Sequence, residues 1–108
     1  MVEHRHLHYF TAVAEELNFS RAADRLHMAQ PPLSVAIRKL ERELGTELLT
    51  RTTREVRLTD AGAMFLAGAR RVLEKLEHTV QATRRAAAGE LGSLHIAFSS
   101  ATRYETLP

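Results

Sequence analysis

The side chains best placed to do chemistry lie between Ser20 and Leu40, in the run Ser-Arg-Ala-Ala-Asp-Arg-Leu-His-Met-Ala-Gln-Pro-Pro-Leu-Ser-Val-Ala-Ile-Arg-Lys-Leu. Gln30 and Ser34 stand one helical turn apart at the opening of a second short helix, with Arg38 a turn further on. A glutamine amide presents a donor and an acceptor side by side, which matches the edge of an adenine. Two short helices joined by a tight turn form a helix-turn-helix, whose second helix lies in the DNA major groove with its N-terminal residues at the base edges. The chemistry predicted is recognition, not bond-making.

Two other constellations invite catalysis or metal binding, and neither has the right geometry. His4, His6 and His8 alternate but straddle a helix start, where that spacing does not converge on one ion. Ser20, Ser34, Ser99 and Ser100 lack a histidine and carboxylate set with a glycine-flanked turn. Without cysteine, disulfides and thiolate metal sites are out of reach. The chain is expected to have no catalytic residues and no metal, and not to be an enzyme.

The elements that must position the recognition residues are legible as periodicities. Residues 5–17 read as a helix with Leu7, Phe10, Val13, Ala14 and Leu17 on its apolar face. Asn18-Phe19 reads as a connection and Ser20 as the N-cap of the next helix, since its hydroxyl can accept from an orphan N–H. Ala22, Ala23 and Leu26 share one face, and the small residues admit a closely crossing helix. The turn falls at His27-Met28-Ala29, without the glycine common in such turns. The second helix begins near Gln30 with Pro31 and Pro32 in its first turn, where proline costs little. Leu33, Ile37, Leu40 and Leu44 give its buried stripe, and Gly45 its C-cap. Taken alone, this segment also fits a helical hairpin of a small bundle.

Residues 46–58 hold two short apolar pieces, Leu48-Leu49 and Val56 with Leu58, around a polar and basic centre. This predicts a small β-hairpin, a wing, with Arg54 near its tip and Arg51 and Arg57 flanking it. Next to a helix-turn-helix such a wing is expected to touch backbone or minor groove, since narrow minor grooves attract arginine. A solvated loop is the plainer alternative.

Thr59 caps a further helix, and Asp60 in its first turn complements the helix dipole. Periodicity continues to about Ala88, roughly 29 residues or about 43 Å. Ala69, Leu73, Leu76, Val80, Thr83 and Ala87 alternate four and three, the spacing of a coiled-coil seam. A second copy of the chain is therefore expected on this face. Residues 86–93 lose the heptad and gain two glycines, as a hinge does. Leu94-His95-Ile96-Ala97-Phe98 reads as the first strand of a further domain, with too few residues after it to build a core; the chain looks truncated. The domains predicted are 1–59, 60–88 and 89–108.

The 108 residues carry a net charge of +2 and a pI near 9.5, so basic groups act only where they cluster, in the wing and at Arg38 and Lys39. No signal peptide or membrane span is apparent, and a cytoplasmic location follows as the default. A nucleoid-type protein that binds DNA without sequence preference fits this charge poorly, because that role rests on neutralising many phosphates. A helical dimerisation module leaves the basic wing unexplained.

These residues carry a family resemblance. Arg5-His6-Leu7-His8-Tyr9-Phe10, Phe19-Ser20-Arg21-Ala22-Ala23, Gln30-Pro31-Pro32-Leu33-Ser34, Ile37-Arg38-Lys39-Leu40-Glu41, Leu48-Leu49-Thr50-Arg51-Thr52 and Leu58-Thr59-Asp60-Ala61-Gly62 resemble the N-terminal part of LysR-type transcriptional regulators. Among these, the Gln-Pro-Pro form looks most like regulators of aromatic and chloroaromatic catabolism. The resemblance implies a mainly α fold: a winged helix-turn-helix, with a three-helix core and small β wing, followed by a long dimerising linker helix. It implies double-stranded DNA as partner, a homodimer through the linker helix, and a dimer of dimers on an interrupted inverted repeat. It also implies a small-molecule inducer of aromatic-catabolite type bound by a following effector domain, with no cofactor in residues 1–108. By position, Gln30, Pro31, Pro32 and Ser34 enter the major groove with Arg38 behind them. Ser20, Arg21 and Arg51 meet the DNA backbone, and Arg54 reaches the minor groove. Val35 stands where many members have a polar or basic residue and can meet a thymine methyl instead. Ala29 replaces their Ser or Thr helix cap. Ser99 to Thr102 match the first loop of the inducer cleft.

Overall fold

The computed structural model describes residues 1–89. Four helices and one hairpin follow in the order α1 (His4–Glu16), α2 (Phe19–Arg25), α3 (Gln30–Leu44), β1 (Leu49–Arg51), β2 (Val56–Leu58) and α4 (Asp60–Ala87). The predicted hinge beyond Gly89, the strand at residues 94–98 and the loop from Ser99 to Thr102 lie outside the described residues. No described helix is long and apolar enough to cross a membrane.

Within residues 1–73, α1, α2 and α3 pack on one another around Phe10, Val13, Leu33, Ile37, Leu40 and Leu48, all fully buried. Phe65 of α4 meets Phe10 edge to face at 5.4 Å between centroids, an arrangement favoured by ring quadrupoles. The helix is covered on more than the predicted face, because Thr11, Ala12 and His6 are also buried. The Glu3 backbone N–H donates to His6 Nδ1 at 3.1 Å, which ties that ring to the start of α1. His4 and His8 stack edge to face on the exposed side. His6 therefore points into the fold, while His4 and His8 share the exposed face.

Several boundaries differ from expectation. Sequence periodicity carries α1 through Leu17, but Leu17 adopts a left-handed conformation at φ 51° and is exposed. That residue ends the helix, and Asn18 turns extended. The N-cap of α2 is Asn18, not Ser20: its side chain accepts from the Arg21 N–H at 2.9 Å. Both residue types cap well, and the left-handed Leu17 decides between them. In the turn, His27 takes the positive φ of 57° that a glycine would accept freely. Gly45 ends α3 at φ 74° as predicted. Leu44 is 38% exposed, however, and does not extend the stripe of Leu33, Ile37 and Leu40. The turn at Gly45 redirects the chain, and Leu48 takes the next core position.

The wing forms as an antiparallel pair with Leu49 opposite Leu58, Thr50 opposite Arg57 and Arg51 opposite Val56. Thr59 then joins wing to α4. Its hydroxyl accepts from the Gly62 N–H at 2.9 Å and donates to the Glu47 carbonyl at 2.7 Å. Gly62 lies against the Leu48 carbonyl so closely that a Cβ there would collide with it.

Candidate nucleic-acid interface

Helix α3 starts without a side-chain cap at Ala29, and Pro31 and Pro32 in its first turn carry no N–H that would need one. Gln30, Pro31 and Pro32 are exposed, and Ser34 is half-buried. Val35 is 63% exposed. A β-branched aliphatic side chain left in water one turn into a helix gains nothing from the core. Gln30, Ser34 and Arg38 recur every four residues and therefore share one face.

The wing tip is built by Thr52. Its Oγ1 accepts from the Arg54 N–H at 3.2 Å and the Glu55 N–H at 3.0 Å, and its own N–H donates to the Glu55 carbonyl at 2.9 Å. Glu55 pairs with Arg57 at 3.0 Å, which leaves Arg54 exposed and without a carboxylate partner. The start of α2 and the wing turn line one shallow cleft, so Ser20 and Arg54 are brought together there.

Among the described residues, Arg5, Arg25, Arg51, Arg57 and Arg70 make ion pairs. Arg21, Arg38 and Arg54 are exposed and make none, and the same holds for Arg42 late in α3 and for Arg71, Arg84 and Arg85 on α4. Arg51 differs from its predicted companions. It is half-buried, with 18% of its side chain exposed, and pairs with Glu41 at 3.4 Å. Its guanidinium lies over the Phe19 ring, and its Nε is buried without a hydrogen-bond partner among the described residues. Burial holds its pKa below the ordinary arginine value, opposed by the charge of Glu41.

Two carboxylates escaped sequence reading. Glu41 Oε2 accepts from the backbone N–H groups of Leu48 at 2.8 Å and Leu49 at 3.1 Å. Glu15 joins three helices, accepting from Arg25 at 2.7 Å and from Arg70 at 2.9 Å. A lone acidic residue in a helix has no sequence signal that distinguishes it from a solvated one.

On α4, the proposed seam is not uniform. Ala69 is 3% exposed, because it continues the face of Leu66 and is already covered within residues 1–73. It is therefore not free for a second chain. Leu73 and Val80 are half-buried, Leu76 is 42% exposed, and Thr83 and Ala87 are exposed. The Thr83 hydroxyl donates back to the Thr79 carbonyl at 2.8 Å.

The sequence profile of bacterial regulatory helix-turn-helix proteins of the lysR family matches residues 4–63. The HTH-type transcriptional regulator AlsR of Bacillus subtilis is 50% identical over 107 residues, covering 99% of this chain and 35% of that protein. The HTH-type transcriptional regulator TfdS of Cupriavidus pinatubonensis is 47% identical over 107 residues, covering 99% of this chain and 36% of that protein. The chain thus spans about a third of the length of the curated relatives it matches. The crystal structure of the BenM DNA-binding domain with its catB site 1 DNA superposes with a TM-score of 0.79. It is 48% identical and covers 82% of this chain and 98% of that one.

Proposed function

The chain belongs to the lysR family of bacterial regulatory helix-turn-helix proteins, and from that premise we propose that it reads a specific inverted-repeat DNA site as the DNA-binding part of a transcription regulator. Gln30, Pro31, Pro32, Ser34 and Val35 meet base edges in the major groove. Ser20, Arg21 and Arg38 meet phosphates, and Arg54 enters the adjacent minor groove. Arg51 is a support of the wing and not a DNA contact. The observation that carries this reading is that Arg21 of α2, Arg38 of α3 and Arg54 of the wing tip are exposed and make no ion pair among the described residues, alongside the exposed Gln30, Pro31, Pro32 and Val35 at the start of α3.

Leu73, Leu76 and Val80 of α4 pair with the same helix of a second copy, which ties two recognition helices to two half-sites. Dimers of dimers, a small-molecule inducer of aromatic-catabolite type and a cytoplasmic location belong to this reading for the longer protein. The relatives are named as transcriptional regulators, which favours a protein that binds and does not catalyse. Selection of bound genomic fragments, followed by salt-dependent titration of the selected and scrambled sequences, tests it. A selected inverted repeat bound far more tightly than its scrambled form supports the reading. Equal affinities with the same salt dependence overturn it.

A further inference from the structure

Helix α3 is joined to the wing by more than the chain between them. From the last turns of α3, Glu41 reaches across Gly45, Thr46 and Glu47 to take the N–H groups of Leu48 and Leu49 with one oxygen, at 2.8 and 3.1 Å. Its other oxygen faces Arg51 at 3.4 Å. Arg51 closes β1 and covers Phe19 at the start of α2. One carboxylate therefore touches both ends of β1 and, through Arg51, the helix before the turn. Its side chain is only 11% exposed, so the bonds form where water competes poorly, and charge-assisted bonds are the stronger kind. Among the described residues, no other carboxylate lies within ion-pair distance of Arg51.

We propose that Glu41 is a positioning residue for DNA reading: its carboxylate fixes the wing, and hence Arg54, relative to the recognition helix without touching DNA. The inference rests on the DNA-reading role above and names a determinant of flank preference inside it. Arg54 sits at the far end of the hairpin that begins at Leu49, so a small rotation at Leu48 and Leu49 moves the tip most. Glu41→Gln keeps the size of the side chain and one oxygen for the two N–H groups, but loses the charge and turns a donor toward the Arg51 guanidinium, which breaks the link to Arg51.

The test uses the full chain and two sets of otherwise identical operator fragments, with A·T-rich or G·C-rich sequence beneath the wing. The parent protein should prefer A·T-rich flanks, and Arg54→Ala should remove that preference; a parent without it overturns the proposal. Glu41→Gln should lose the same preference while keeping discrimination between operator and base-substituted half-sites. In the Arg54→Ala background it should cost nothing further. Thermal unfolding and circular dichroism establish that the variant is folded; if it is not, Glu41→Asp, which keeps the charge but shortens the reach, is read in the same way. A folded variant that keeps the parent's flank preference overturns the proposal, as does an equal loss in the presence and absence of Arg54. Failure of the parent itself to distinguish operator from scrambled DNA is a different result and overturns the DNA-reading role.

Discussion

The guanidinium of Arg51 lies over the ring of Phe19, 4.9 Å from its centroid, so the last residue of the first wing strand is seated on the first residue of the helix before the turn. The contact is partly shielded from water, where a cation over an aromatic face is worth about 1–2 kcal/mol. Phe19→Leu, which keeps apolar bulk and removes the ring face, should lower unfolding free energy by about that much. In an Arg51→Met background the same change should cost less, since the cation is already gone. Urea denaturation of the four proteins measures the coupling, and strict additivity would remove the contact from the account.

Gly62 and Gly68 stand in the same helix and should respond oppositely to alanine. A Cβ at Gly62 collides with the Leu48 carbonyl, which is backbone and cannot swing away, while at Gly68 it meets only the tip of Arg71 at 3.9 Å. Gly62→Ala should destabilise by about 1–3 kcal/mol or more. Gly68→Ala should stabilise by about 0.5–1 kcal/mol through helix propensity. Thermal melts of both variants check the pair, and a stabilising Gly62→Ala would show that α4 can back away from Leu48.

His27 holds a left-handed φ of 57° in the turn between α2 and α3. That conformation costs a side-chain-bearing residue about 1–2 kcal/mol, part of which glycine returns as entropy in the unfolded chain. His27→Gly should therefore raise stability by about 0.5–1 kcal/mol, with DNA affinity unchanged. A loss of stability in chemical denaturation would mean that the imidazole itself makes a contact of value.

Acid should weaken the joint between α1, α2 and α4. The hydrogen bond from Arg25, reinforced by Arg70 and opposed by burial, holds the Glu15 carboxyl below its ordinary value of 4.5. A group with a depressed folded pKa stabilises fully above its unfolded pKa and loses that contribution as pH falls through the folded one. The protein should thus lose stability below about pH 4.5, and Glu15→Gln should flatten that limb while leaving neutral-pH stability only slightly lower. An unchanged acid limb in Glu15→Gln would assign the acid loss to other carboxylates.

The order of helices, the turn, the wing and the start of α4 were all legible in the sequence because each is fixed by local signals: apolar spacing, prolines at a helix start, Gly45, and Thr59 before Asp60. What was not legible came from competition or distance. Asn18 and Ser20 are equally good caps two residues apart, and only the left-handed turn at Leu17 selects the first. Leu44 continues a perfect stripe yet falls past the point where α3 is covered, while Ala69 fits a seam yet is already buried. Arg51 looks like Arg54 in composition, and only the fold sets Glu41 and Phe19 around it.

Leu76 remains 42% exposed in the single chain and Leu73 is half-buried, and each leucine buried between two helices contributes about 1.5–3 kcal/mol. Leu73→Glu with Leu76→Glu should give a folded monomer that binds half-sites weakly and no longer prefers the full repeat. Sedimentation and binding assays decide the matter. A double variant that stays dimeric with full affinity would place the seam on another face of α4.

The most direct test of the central claim is the affinity of Gln30→Ala for the selected operator and for its scrambled form, measured at one salt concentration. The Gln30 side chain is exposed in the first turn of α3, so its removal leaves the core untouched. An amide paired with an adenine supplies about 1–3 kcal/mol of discrimination. The operator should therefore be bound about tenfold or more weaker, with binding to scrambled DNA nearly unchanged. Equal losses on both sequences, or none on either, would contradict base reading by the start of α3.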